Sequence, residues 1–74
     1  FSIDVQRASL IESLRKHALP GVSQRAAIRW AQDHAHLLEE FSALFPPHAA
    51  GLENSVSRGK RRLRTLRKLA KKSD

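Results

Sequence analysis

The sequence predicts an all-α domain: a small bundle of four or five short helices, paired as antiparallel hairpins, with a basic helix at the C-terminal end. Three observations carry that reading. Apolar residues recur at three- and four-residue spacing, most clearly as Leu37, Leu38, Phe41, Leu44 and Phe45 within Asp33–His48. Pro20-Gly21 and Pro46-Pro47 cut the chain into helix-sized pieces, because proline lacks an N–H and clashes with the preceding turn. No β-type alternation of useful length and no internal repeat occurs.

The first helix is expected from about Ser2 to Leu19. Ile3, Leu10, Ile11, Leu14 and Ala18 share a face, and Arg7, Glu12, Arg15 and Lys16 lie mostly away from it. Asp4 near its start and Lys16 and His17 near its end suit the helix dipole. Pro20-Gly21 stops it. Ser23 is a good N-cap for the second helix, since its hydroxyl can accept from a free backbone N–H. Val22 is placed to staple onto Ala27. The link from Leu19 to Ser23 is short, so these two helices should pair as a hairpin.

The third helix carries the apolar stripe and two of the three phenylalanines. The expected core is therefore Leu37, Leu38, Phe41, Leu44 and Phe45. Asp33 caps this helix or the second helix bends into it near His34-Ala35; the sequence leaves both open. A short fourth segment (His48, Ala49, Ala50, Leu52) follows the prolines, weakened by Gly51. Asn54, Ser55, Ser57 and Gly59 read as a breaker-rich patch. The last helix then begins near Arg58, with Val56, Leu63, Leu66 and Ala70 on a narrow apolar stripe and Leu69 beside it. The division is thus a helical core at 1–57 and a basic helix or tail at 58–74.

Seventy-four residues allow one domain with a modest core. The chain has no cysteine, so neither a disulfide nor a thiolate metal site is available, which suits an intracellular setting. No apolar run reaches the ~20 residues of a membrane span. FSIDVQRASL lacks the basic start and apolar core of a signal peptide. A first residue of Phe1 rather than Met is expected of a piece of something longer.

The net charge of +7 is unevenly spread. From Phe1 to Ser57 there are five Lys/Arg against six Asp/Glu; from Arg58 to Lys72 there are nine Lys/Arg and no acid. Arg58, Lys60, Arg61, Arg62 and Arg64 open this run, and Arg67, Lys68, Lys71 and Lys72 close it. Such asymmetry points to an acidic partner. The run is dense enough to neutralise several phosphates, or to serve as a nuclear-import signal. It holds no aromatic residue, so any nucleic-acid contact should be to the backbone and sensitive to salt. The same lack of Trp and Phe argues against a membrane surface or a calmodulin-like groove.

Catalysis is not expected. His34 and His36 stand two apart, about 200° round a helix, and would not share a ligand face. No HExxH, Cys/His set or phosphate-cradling glycine loop occurs, so no metal and no cofactor is expected. Trp30 is the only tryptophan and reads as a core anchor or as the wall of a partner groove. Glu39 and Glu40 read as solvated, or as the rim of such a groove. GVSQRAAIRWAQDH has a superficial helix-turn-helix look, with Ser23-Gln24-Arg25 at a helix start, but lacks the glycine turn between two short helices.

Asp33-His34, Leu37-Leu38-Glu39-Glu40-Phe41 and Phe45-Pro46-Pro47 resemble the closing helix of a paired amphipathic helix domain of Sin-type corepressors. Pro46-Pro47-His48 with Leu52 is similar to the end of harmonin-homology domains. Both belong to the αα-hub group, and the likeness covers roughly half the chain. It implies a non-enzymatic module that binds a partner's short amphipathic helix, within a nuclear regulatory, transcriptional or genome-maintenance scaffold. The groove would lie between the first two helices, with Leu10, Leu14, Ala27, Trp30 and Ala31 as candidates. The other reading is a direct nucleic-acid-binding domain that uses the basic helix. Neither the partner nor the oligomeric state is fixed by the sequence.

Overall fold

The structure, a computed structural model, describes residues 2–72, with the side chain of Lys72 outside that description. Among these residues the chain forms an all-α bundle of four α-helices: α1 (Ile3–Ser13), α2 (Gln24–Asp33), α3 (Glu39–Leu44) and α4 (Leu52–Lys72). α1 runs directly into a π-helical turn, Leu14–Ala18.

Ser2 caps α1, its hydroxyl accepting from the Val5 N–H. At the far end the Leu19 N–H donates to the Leu14 carbonyl at 2.7 Å, one residue beyond α-helical spacing. Pro20 has no N–H with which to continue the ladder, and Gly21 turns the chain at φ 83. Arg15 Nε donates to the Val22 carbonyl at 2.8 Å, which ties the turn back to the helix. Ser23 then caps α2 as its sequence position predicts, accepting from the Ala26 N–H at 3.1 Å.

α1 packs chiefly against α4, and the two run in the same direction. Asp4 meets Ser55 and Arg58, and eight residues on Glu12 meets Arg67. The buried row on α1 is Val5, Ala8 and Ile11, and Leu14 continues it into the π-helical turn. A three-residue step falls short of a full turn by about 60°, so this stripe winds round the helix. The predicted face is corrected accordingly: Ile3 is 48% exposed and Ala18 is exposed.

The predicted third helix is also corrected. α2 ends at Asp33, residues 34–37 form a turn, and Leu38 is extended at φ −137, ψ 135. Asp33 therefore neither caps the next helix nor passes a bend into it. Leu37 and Leu38 are 58% and 53% exposed and do not belong to the core. The stop is local. The Trp30 carbonyl accepts both the His34 N–H at 3.0 Å and the His34 ring Nδ1–H at 2.8 Å. The His34 ring stacks on Trp30 at 4.1 Å, and Phe41 meets Trp30 edge-on at 5.7 Å. Phe41, Leu44 and Phe45 are buried as expected, joined by Ile11, Ala27, Ile28, Ala31, Leu52 and Val56. Pro46 holds Phe45 out of the helical region at φ −129, ψ 67. The carbonyls of Pro46 and Pro47 both accept from Gln32 Nε2.

His48–Ala50 forms no helix. Gly51 turns at φ 72, and Leu52 opens a helix of 21 residues. The supposed breakers Asn54, Ser55, Ser57 and Gly59 all lie inside it, and the 57/58 division falls within its continuous length. Packing overrides their weak helix propensity. Gly59 sits where α4 crosses α1, and a Cβ there would lie 1.9 Å from the Asp4 carbonyl oxygen and 2.8 Å from the Ala8 methyl. Buried Ser55 donates to the Asp4 carboxylate and accepts from Arg7 Nη1 at 3.1 Å. Arg7 Nε donates to the Leu44 carbonyl at 2.7 Å. Arg7, which its spacing places away from the core, thus joins α1, the end of α3 and α4.

Ser55 first, then the Arg58 guanidinium at 3.1 Å, hold the Asp4 carboxyl below the usual carboxylate range. A depressed folded pKa stabilises the fold fully above the unfolded value; that contribution disappears as pH falls through the lower folded value. The urea midpoint should therefore drop on acidification below the ordinary aspartate range. Asp4→Asn should lower the midpoint at neutral pH and flatten that part of the acid profile. An unchanged acid profile in Asp4→Asn would contradict the assignment.

Candidate nucleic-acid interface

The cations of α4 do not spread evenly. At 100° per residue, Lys60, Arg64, Arg67, Lys68 and Lys71 gather on one side. They line, with Glu12 of α1, a trough of about 330 Å³. The trough continues past Lys60 toward Gly21 as a second hollow of about 280 Å³, where Arg15 and Lys16 stand with Ala8, Ile11 and Glu12. Two helices running in the same direction leave this furrow because Ala8 and Gly59 bring their N-terminal halves together and α1 ends in its widened turn.

Among the described residues, three of the nine sequence-predicted cations have partners in the fold. Arg58 pairs with Asp4 on the far flank, Arg67 Nη2 lies 2.9 Å from Glu12 Oε1, and Lys60 Nζ donates to Gln24 Oε1 at 3.0 Å. Arg61, Arg62, Arg64, Lys68 and Lys71 make no ion pair among the described residues. Arg61 borders the trough side, and Arg62 lies on the opposite flank with Arg58. The side chain of Lys72 is outside the described residues. From Arg64 to Lys71 every residue is exposed, so the end of α4 projects from the bundle. Arg15 and Lys16 were not legible as site residues. The signal was a Lys/Arg doublet closing the first helix, and only the tertiary arrangement brings it to Lys60.

The groove expected between the first two helices is closed. Leu14, Ala27 and Ala31 are buried in one cluster with Leu52 and Val56 of α4, which fills that space. Trp30 is half-buried between His34 and Phe41. Leu10 instead lines a different hollow, about 600 Å³, formed by Val5, Leu10, Ala43, Leu44 and Leu63 with Glu40 at its edge. Exposed Leu66 and Leu69 continue from Leu63 in three-residue steps.

The side chains at the start of α2 turn toward α4. Gln24 Nε2 donates to Ser57 Oγ at 3.2 Å, and Arg25 pairs with Glu53 at 3.3 Å. His34 and His36, opposed on a helix, come together in the 34–37 turn with ring centroids 6.3 Å apart. No group of three His, Asp or Glu residues among those described could hold a metal ion. No described helix is long and apolar enough to cross a membrane.

Comparison with family models, curated proteins and solved structures finds no match to any of them. The functional reading therefore rests on the geometry.

Proposed function

We propose that this domain is a non-enzymatic binding module that holds nucleic acid by its phosphates through the basic side of α4. The observation that carries the reading is the row Arg64, Lys68 and Lys71. All three are exposed, share one side of a projecting helix and lack a carboxylate partner among the described residues. Phosphate neutralisation by such cations releases counterions, so affinity falls steeply with salt. Lys60-Arg61-Arg62 also fits an import signal, consistent with a nuclear parent protein.

The test is Arg64→Gln/Lys68→Gln/Lys71→Gln against a labelled mixed-sequence DNA duplex. Three fewer phosphate contacts should reduce the slope of log K against log salt by about 3 and weaken binding roughly a hundredfold near 0.1 M salt. Helicity should not change, since none of the three side chains is buried. Unaltered binding would remove α4 from the interface.

A second reading, the αα-hub one, keeps support from one observation. The 600 Å³ hollow between α1, α3 and α4 is mostly apolar and continues onto exposed Leu66 and Leu69. A partner's amphipathic helix docked there would bind with little salt dependence, which separates it from the first reading.

A further inference from the structure

We infer that the nucleic acid is a double helix, one phosphate strand of which runs along the trough between α1 and α4; this rests on the function proposed above. The trough has two cationic walls. They belong to two adjoining hollows that share Lys60 and Glu12: Arg64, Lys68 and Lys71 wall one, and Arg15 and Lys16, in the turn that follows α1, wall the other. Arg15 is oriented in advance. Its Nε is fixed on the Val22 carbonyl at 2.8 Å, while its terminal nitrogens remain donors for a phosphate. From Lys60 to Lys71 the helix axis rises ~16 Å. A strand lying along the trough sets a few successive phosphates over that length.

The choice of a duplex follows from what the walls offer. Neither α4 nor the α1 wall carries an aromatic side chain. Modules that hold single strands stack bases on aromatic rings. A duplex turns its bases inward and presents phosphates, and cations alone suffice to hold those. Glu12 is the one carboxylate that lines both hollows, and it is already paired with Arg67 at 2.9 Å. A strand passing along the trough meets that carboxylate and takes Arg67 from it. Glu12 therefore opposes binding, and its removal should strengthen it.

Fluorescence anisotropy over a salt series tests this with a mixed-sequence DNA duplex and with one of its strands alone. The wild-type chain should bind the duplex more tightly and with the steeper salt slope. Glu12→Gln should tighten duplex binding by about fivefold near 0.1 M salt, as one freed cation adds a phosphate contact. Arg15→Gln/Lys16→Gln should reduce the duplex slope by about 2. Because Arg15 also ties the turn, Lys16→Gln alone should reduce it by about 1 with unchanged helicity. If Glu12→Gln and Lys16→Gln bind the duplex like wild type while Arg64→Gln/Lys68→Gln/Lys71→Gln loses it, the strand does not follow the trough. The inference then fails and the proposed function stands. Equal binding of the single strand overturns the duplex assignment. Failure of the wild-type chain to bind duplex at low salt overturns both.

Discussion

Gly59→Ala is expected to remove most of the domain's stability. The added methyl would sit 1.9 Å from the Asp4 carbonyl oxygen and 2.8 Å from the Ala8 methyl. The nearer neighbour is backbone and cannot rotate away, so α1 and α4 must separate along their crossing. Overpacking a core costs ~1–3 kcal/mol and occasionally more. A bundle of this size holds only about 3–5 kcal/mol in all. Separation would also stretch the Ser55–Asp4 and Arg7–Ser55 hydrogen bonds, which depend on the same approach. Circular dichroism and amide shift dispersion should show the loss. A variant with the wild-type urea midpoint would mean that the helices do not cross at Gly59.

Phe45→Ala should be at least as damaging. Phe45 is 0% exposed and is the largest fully buried side chain among the described residues. Truncating a buried phenylalanine costs ~3–5 kcal/mol, comparable to the whole stability of such a domain. Leu37→Ala and Leu38→Ala make the contrast, since both leucines stand in the same apolar run of sequence. Being exposed, they should shift stability by no more than about 0.5 kcal/mol. Similar losses at Leu38 and Phe45 in urea unfolding would restore the longer third helix and contradict the turn at 34–37.

Local signals were legible in the chain wherever one residue type dictates one backbone state. Pro20-Gly21 ends the first helical stretch, Ser23 caps the second, and Pro46 ends the third. Phe41, Leu44 and Phe45 were legible because their periodicity and burial agree. Leu37 and Leu38 carry the same periodicity but lie beyond a stop that depends on His34 folding back onto Trp30. That contact competes with helix continuation and has no simple signature. Gly59 and Ser55 misled for a related reason. Their low helix propensity is a local property, whereas their use is a contact with α1 some fifty residues away in sequence.

The candidate site divides the same way. The cations of α4 lie on one continuous helix, so their shared side follows from spacing alone. Arg15 and Lys16 join them only because α1 and α4 run in the same direction, which the sequence pattern does not specify. Ala27 and Ala31, suitable by size for a partner groove, are covered by α4 of the same chain. The free apolar surface lies instead beside Leu10, on the other flank of α1.

The most direct test of the basic trough is an amide NMR titration of the labelled chain with a short mixed-sequence DNA duplex at low and at raised salt. Shifts should concentrate from Lys60 to Lys71 and in the Leu14–Ala18 turn, and should collapse as salt rises. Shifts that gather around Val5, Leu10 and Ala43, or that persist at raised salt, would contradict a phosphate-binding trough.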